Sequence, residues 1–480
     1  MQQEKQFFGH PRALGNLFHV ELWERFSYYG MQAILLFYMY YAMTDGGLGM
    51  DKAIAGGIMG AYSGSIYVAT LGAGWIADRV LGAERTLFYS GMVIMAGHIV
   101  LAIVPGLEGL IFGLILVALG SGGVKAPVSS MVGSLYDNDQ YRHLRDSGFS
   151  LFYVSINIGA FLGPLITGLL QNKVGFHYGF GAAAVGMGFG LFQYSLGRKL
   201  LVQHQSAPNP LNPQEKKQAL IGLGMGVLVL VAVIASGFIT LTNFKMVLFY
   251  SVLAIACLYF ARLLTDKRVD SVKKGHILAY IPLFVCICIF WALFFQNFTA
   301  LMIYFESTVN RMFGSFEFPE AWQPSMQSFW VIALAGAMSA LWRKLGKNAP
   351  SDPVKFALSL IFAALTFVFF IYHIQSGSPM PIWVYMIALG VLTVAELMIS
   401  PISLSFATKI APDFFKTQMI ALNFLGLSIG LTLGGILFGN FYDEANPLGF
   451  YYMILGLGLG AGVIFLLISP ILKKMLRDVA

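Results

Sequence analysis

The stretch that decides the fold is Glu21-Leu22-Trp23-Glu24-Arg25-Phe26-Ser27-Tyr28-Tyr29-Gly30, which lies inside an otherwise apolar run. Residues at positions i, i+3 and i+4 share one face of a helix, so Glu21, Glu24 and Arg25 are predicted to project together. Insertion scales put the cost of one central charge in a membrane helix at about 2.5 to 3.5 kcal/mol, so these groups do not face lipid. We expect them to pair, to face a cavity or to act in function, with Tyr28 and Tyr29 extending the polar stripe.

The overall composition is that of a polytopic membrane protein. Of the 480 residues, 57% are hydrophobic and 11% are charged, which leaves no soluble domain of useful size. The net charge of +7 could suit a nucleic acid, but the basic residues fall at the ends of apolar runs, where membrane topology explains them better. We therefore predict the lipid bilayer as the partner and exclude nucleic acid.

Apolar runs long enough to cross a bilayer, which needs about 20 residues, recur along the whole chain. Fourteen are predicted, at approximately 15–43, 52–77, 84–104, 107–134, 146–171, 176–196, 217–236, 244–265, 277–304, 322–342, 353–374, 380–407, 414–441 and 449–472. With a cytoplasmic N-terminus, most of the 30 Lys and Arg residues fall on the cytoplasmic side. The positive-inside rule therefore predicts that both termini are cytoplasmic.

Two polar segments, 202–217 and 266–274, divide the spans into groups of six, two and six. The predicted class is an all-α membrane protein with two six-helix bundles and an inserted two-helix hairpin. The predicted domains are an N-terminal bundle at 1–200, a linker with the hairpin at 201–275, and a C-terminal bundle at 276–480. The stretch 74–85 resembles the short basic loop motif of the major facilitator superfamily, which implies the major facilitator fold.

Three charged residues are predicted to lie near the bilayer midplane. Arg25 comes about 15 Å along its helix from Gly15, and Lys125 and Glu396 lie about 16 and 20 Å from the nearest predicted span ends. Two explanations stay open: these charges mark a transport path, or they are structural ion pairs that lock helices together. The glycine-rich run before Lys125 lacks the spacing of a phosphate-binding loop and lies in an apolar span, which excludes ATP binding.

The first-helix pattern Glu21-x-x-Glu24-Arg25-Phe26-x-Tyr28-Tyr29-Gly30 resembles the signature of the proton-dependent oligopeptide transporters, a major facilitator subgroup. The segment Phe152-Tyr153-Val154-Ser155-Ile156-Asn157-Ile158-Gly159-Ala160 is similar to that family's fifth-helix signature, and the inserted hairpin is similar to that of its bacterial members. The resemblance implies that Glu396 receives a peptide's amino terminus. It also implies that the peptide site is lined on the other side by Arg25, Tyr28, Tyr29, Tyr67, Lys125 and Asn157.

The second bundle departs from the family pattern. Phe295 stands where the seventh helix usually carries a glutamate, in the run Trp291-Ala292-Leu293-Phe294-Phe295-Gln296. Gln327 lies in a segment that lacks the family's Asn-Pro pair. Asn423, beside Phe424, takes the place of a tryptophan of the eleventh helix. In the first helix, Gln32 replaces an arginine found in some members.

The chemistry of these residues suits a zwitterionic peptide. Lys125, with Arg25 nearby, would bind the carboxylate, while Glu396 would bind the ammonium group. The aromatic side chains of Tyr28, Tyr29, Tyr67 and Trp291 would form tolerant walls. We further assign Gln32, Asn157, Gln327 and Phe424 to the substrate site.

Proton coupling is predicted to involve Glu21, Glu24, Arg25 and Lys125. The central acids are Glu21, Glu24 and Glu396, and the central bases are Arg25 and Lys125. Together they carry a formal charge of −1, which one proton cancels. The predicted function is proton-coupled import of di- and tripeptides by a monomeric carrier in a bacterial inner membrane, with no cofactor and no enzymatic activity. The alternative is a major facilitator carrier of another small zwitterion or anion, or a drug exporter, with non-standard or no proton coupling.

Overall fold

The computed structural model describes residues 6–137, 139–412 and 415–476. The described part of the chain contains fourteen helices of 21 residues or more and one short helix, α10. They are α1 (Arg12–Tyr40), α2 (Lys52–Ile76), α3 (Ala83–Ile103), α4 (Gly106–Ser134), α5 (Arg145–Val174), α6 (Phe176–Gly197), α7 (Pro213–Ala235), α8 (Phe244–Thr265), α9 (Ser271–Phe294), α10 (Ala300–Ser307), α11 (Gln323–Leu345), α12 (Asp352–Ser376), α13 (Ile382–Ile410), α14 (Lys416–Phe441) and α15 (Pro447–Met475).

The predicted all-α membrane architecture is confirmed. Within the described ranges, twelve helical regions are long and apolar enough to cross a membrane. The other two long helices are α1, which carries the three charges of the first-helix pattern, and the glycine-rich α6. Residues 1–5 and 477–480, which hold the termini predicted to be cytoplasmic, lie outside the described residues. The predicted domain boundaries stay a prediction.

The predicted span at 277–304 is interrupted, because α9 ends at Phe294 and α10 begins at Ala300. Between them Thr299 has non-helical angles, with φ −133° and ψ −94°. The Gln296 side chain donates to the Ala292 carbonyl at 3.0 Å and to the Gly434 carbonyl at 3.1 Å. Polar side chains that bond to nearby backbone compete with helical hydrogen bonding, and hydropathy alone does not show this competition.

The short strands of the protein lie in loops between helices. β1 (Val309–Asn310) pairs in parallel with β4 (Met380–Pro381), and β2 (Met312–Phe313) forms a small hairpin with β3 (Phe316–Glu317). These pairings tie together the connections that precede α11 and α13.

The chain divides into two units, which we describe separately. Unit 1 comprises Met1–Gly49 and Val68–Val247. In it α1 packs against α5 and α6, and α3 packs against α4 and α6. Its buried core includes Leu17, Ile94 and Met187, which come from α1, α3 and α6. Unit 1 therefore holds the charged first helix inside a packed bundle.

Unit 2 comprises Met50–Tyr67 and Leu248–Ala480, so it includes the first part of α2. Here α12 packs against α13 and α15, α9 against α14, and α11 against α13. The packing of α11 on α13 brings together two predicted site residues, Gln327 and Glu396.

A glycine seam joins the first part of α2 to α14 within unit 2. We define it by Gly56, Gly60, Gly64 and Gly435. A Cβ atom added to Gly60 would lie 2.6 Å from the Cα atom of Gly435, and Ser428 Oγ donates to the Gly64 carbonyl at 2.8 Å. The backbones meet here because side chains are absent, as in other membrane helix pairs with small residues four apart.

Candidate functional site

The three charges of α1 form one ion cluster. Arg25 Nε lies 2.9 Å from Glu21 Oε1 and 2.7 Å from Glu24 Oε2. The exposed fractions are 3% for Glu21, 0% for Glu24 and 5% for Arg25. Such burial is tolerated only when charges compensate one another, so this helix depends on its internal pairing.

Close contact between α1 and α5 fixes the position of Arg25. A Cβ atom added to Gly159 would lie 2.8 Å from the Arg25 Cβ atom. Gly163 likewise lies against Gly30, and Thr167 Oγ1 donates to the Gly30 carbonyl at 2.8 Å. Small residues on α5 thus leave room for the charged face of α1.

Tyr28 lies close to two cations. Lys125 Nζ lies 5.7 Å from the centre of the Tyr28 ring, and Arg25 Cζ lies 5.8 Å from it. Tyr29 makes an edge contact with Tyr28, with ring centres 5.1 Å apart. Cations within about 6 Å of an aromatic face are attracted to it, so the Tyr28 ring helps to place two like charges near each other.

Lys125 also interacts electrostatically with the ion cluster, since Glu24, Glu21 and Arg25 all act on its ammonium group. The two carboxylates attract this ammonium and Arg25 repels it. A proton gained by either carboxylate would therefore change the balance of charge at Lys125.

The remaining predicted residues of unit 1 are placed differently. Gln32 is 3% exposed, and its Oε1 atom has no hydrogen-bond partner among the described residues. The Asn157 amide donates to the Tyr153 carbonyl of its own helix at 2.8 Å. This bond leaves the Asn157 side-chain oxygen for other contacts.

In unit 2, the structure brings Glu396 and Gln327 together. Gln327 Nε2 donates to Glu396 Oε2 at 3.2 Å and to Thr393 Oγ1 at 2.9 Å. Thr393 was not predicted from the sequence as a site residue. Its position three residues before Glu396 on the same helical face was the available signal.

Aromatic residues of unit 2 form two further groups. The Tyr67 and Phe424 rings lie 6.1 Å apart. The Trp291 ring lies 5.3 Å from that of Phe294, and its buried Nε1 atom has no hydrogen-bond partner within the described ranges. Both groups contain residues that were assigned to the substrate site.

Phe295, which was expected to take the place of an acid, is fully buried. A Cβ atom added to Gly434 would lie 2.7 Å from the Phe295 Cβ atom, so this side chain packs closely on α14. An acid here would be desolvated by the same packing. The local structure of this chain thus suits the apolar residue that it has.

The family model described as "PTR2: POT family" matches residues 84–451. The chain belongs to the POT family. The transporter YclF of Bacillus subtilis is 40% identical to it over 486 residues, which cover 99% of this chain and 97% of YclF.

Other similar proteins are named as peptide transporters. The di-/tripeptide transporter of Lactococcus lactis subsp. cremoris is 36% identical over 498 residues, which cover 99% of this chain and 98% of the relative. A crystal structure of a mutant of a peptide transporter POT in complex with alafosfalin matches with a TM-score of 0.93 and 38% identity. That match covers 98% of this chain and 97% of the other. The protein is thus a multi-pass membrane protein of a transporter family.

Proposed function

We propose that this POT protein imports di- and tripeptides together with protons by alternating access. The observation that carries the proposal is the presence of two recognition groups of opposite charge, one in each unit. Unit 1 has Lys125 beside Arg25 and Tyr28, and unit 2 has Glu396 held by Gln327. A peptide offers a carboxylate and an ammonium group, which these residues complement.

The similar proteins support this substrate class. The relative from Lactococcus lactis is called a di-/tripeptide transporter, and the structure with alafosfalin is that of a peptide transporter. We infer that this chain recognises both termini of its substrate and is tolerant of side chains. Tyr28, Tyr29, Tyr67, Trp291 and Phe424 would supply apolar contact, while Gln32, Asn157 and Gln327 would supply hydrogen bonds.

Proton coupling is assigned to Glu21, Glu24, Arg25 and Lys125. Protonation of one carboxylate would weaken its pairing with Arg25 and change the field at Lys125, which frees a cation for the peptide carboxylate. An inward proton gains about 2.3 kcal/mol per 100 mV of membrane potential. This energy can drive accumulation of a neutral zwitterion.

We infer that the protein acts in the inner membrane of a bacterium, with both termini in the cytoplasm, because its basic residues are concentrated in the loops on that side. We also infer that the protein acts as a monomer. It is a carrier and not an enzyme, and its partners are the lipid bilayer, protons and the peptide substrate. The similar proteins named above come from bacteria.

The experiment is uptake of a labelled dipeptide by proteoliposomes that contain the purified protein, with empty liposomes as the control. Unlabelled di- and tripeptides should compete, whereas an N-acetylated or C-amidated dipeptide should compete at least about tenfold less well, which is about 1.4 kcal/mol. Equal competition by blocked peptides would contradict recognition of the termini. If the protein does not take up dipeptides but transports another small zwitterion, an anion or a drug, the alternative function is favoured, which is a carrier of such a compound or a drug exporter.

A further inference from the structure

Thr393 has a fixed hydrogen-bonding role. Its side chain is fully buried on α13. Oγ1 donates to the Leu389 carbonyl at 2.8 Å and lies 2.9 Å from Gln327 Nε2. A carbonyl can only accept, so the single hydroxyl hydrogen is used by Leu389. The Thr393 oxygen can therefore only accept a hydrogen bond from Gln327.

This arrangement decides which way the Gln327 amide points. Its two neighbours, Thr393 Oγ1 and Glu396 Oε2, are both acceptors. The amide NH₂ group has two hydrogens and can serve both, whereas a flipped amide would turn its own oxygen toward them. Thr393 thus holds Gln327 as a donor to Glu396.

The hydrogen bonds among Thr393, Gln327 and Glu396 do not use the side-chain oxygen of Gln327. Gln327 Oε1 is buried and has no hydrogen-bond partner among the described residues. A buried acceptor without a partner costs free energy, about 1 to 3 kcal/mol. An ammonium group has three hydrogens, so it can bond to this oxygen while it pairs with the neighbouring Glu396 carboxylate.

We propose that Thr393 is a positioning residue for substrate recognition, which fixes the Gln327 amide so that its oxygen stays available to the amino terminus of the peptide. The inference rests on the proposed function, since it concerns the same substrate. It adds a residue whose hydroxyl group hydrogen-bonds to Gln327 and to its own helix.

The packing of α11 on α13 also includes contacts that do not involve the Thr393 hydroxyl. Trp330 Nε1 donates to the Met386 carbonyl at 2.7 Å, and a Cβ atom added to Gly390 would lie 3.2 Å from the Trp330 ring. Replacement of Thr393 by the equally large valine should therefore remove the hydroxyl and keep the helix contact.

The test compares dipeptide uptake kinetics of Thr393→Val and Thr393→Ser in proteoliposomes. The valine variant should raise KM about fivefold, the size expected for one hydrogen bond, with little change in maximal rate. The serine variant keeps the hydroxyl and should stay near wild type. Thr366→Val is the matched control, since Thr366 is equally buried and bonds to the Phe362 carbonyl of its own helix. It should not change KM.

A double-mutant cycle separates positioning from a general structural effect. Adding Thr393→Val to Gln327→Ala should raise KM no further, and inhibition by an N-acetylated dipeptide should be the same in wild type and the valine variant. An unchanged KM in the valine variant, or an additive effect with Gln327→Ala, would overturn this inference alone. Absence of dipeptide uptake by the wild type would instead overturn the proposed function and the inference with it. If the valine variant does not fold, Thr393→Ala takes its place in the cycle.

Discussion

Arg25 Nε lies 2.7 Å from Oε2 of Glu24, a carboxylate with no exposed surface. The guanidinium also pairs with Glu21 at 2.9 Å, so one cation is shared by two acids inside a single membrane helix. One negative charge is thus left for Lys125 or for a proton to neutralise. This excess charge is the physical basis of the proposed coupling.

The first prediction concerns Glu24. The variant Glu24→Gln cannot gain or lose a proton at this position, so concentrative uptake should fall at least about tenfold, or about 1.4 kcal/mol. Counterflow of labelled peptide, which needs no net proton movement, should persist. Both are measured in proteoliposomes, with and without an inward proton gradient.

Glu84→Gln is the matched control for this prediction. Glu84 is also fully buried in unit 1, and it pairs with Arg198 at 2.5 Å. Its replacement should lower thermal stability and leave coupling intact. Loss of coupling in both variants would mean that buried acids support the fold and not the proton pathway.

Lys125→Ala should abolish concentrative uptake while the protein still inserts and folds. One midplane lysine costs about 2.5 to 3.5 kcal/mol to host, and its removal leaves the apolar scaffold intact, so the variant should still unfold cooperatively in detergent. Lys173→Ala, at the exposed end of α5, should transport normally. Accumulation by Lys125→Ala at the wild-type level would contradict the role given to this residue.

Glu396→Gln should greatly weaken uptake of dipeptides with a free amino terminus. A neutral amide cannot balance a desolvated ammonium group, and we expect KM to rise at least about tenfold, or about 1.4 kcal/mol. Competition by an N-acetylated dipeptide should change little, because it has no ammonium group. If both kinds of dipeptide lose affinity equally, Glu396 has a structural role.

A fourth prediction tests the glycine seam. Gly60→Ala places a methyl group 2.6 Å from the Gly435 Cα atom, so overpacking should reduce the free energy of unfolding by about 1 to 3 kcal/mol. Gly72→Ala on the same helix has no atom within 4 Å of the added Cβ and should be neutral or stabilising by up to about 1 kcal/mol. Thermal unfolding in detergent measures both, and equal stability of the two variants would refute the seam.

The helices were predictable from the sequence because membrane spans need long apolar runs, and α3 at Ala83–Ile103 agrees with the predicted 84–104 within one residue. The break between α9 and α10 was not predictable from hydropathy. It depends on Gln296, whose amide reaches the Gly434 carbonyl of a distant segment. Short-range patterns do not report such contacts.

Part of the site was predictable from the spacing of residues within one helix. Helical spacing places Glu21, Glu24 and Arg25 on one face, and the structure pairs them. The bond from Gln327 to Thr393 needs the packing of α11 on α13, so spacing within one helix does not show it. Phe295 was noted as a missing acid, but its packing on Gly434 is visible only in the fold.

The most direct test of the central claim is simultaneous measurement of peptide and proton movement in proteoliposomes loaded with a pH-sensitive dye, under a clamped inside-negative potential. We predict that external dipeptide acidifies the lumen and accumulates above its external concentration, and that a dipeptide with both termini blocked does neither. The contrary result is that the dipeptide enters without acidifying the lumen and accumulates no further when the potential is applied. This result would contradict proton-coupled peptide import by this chain.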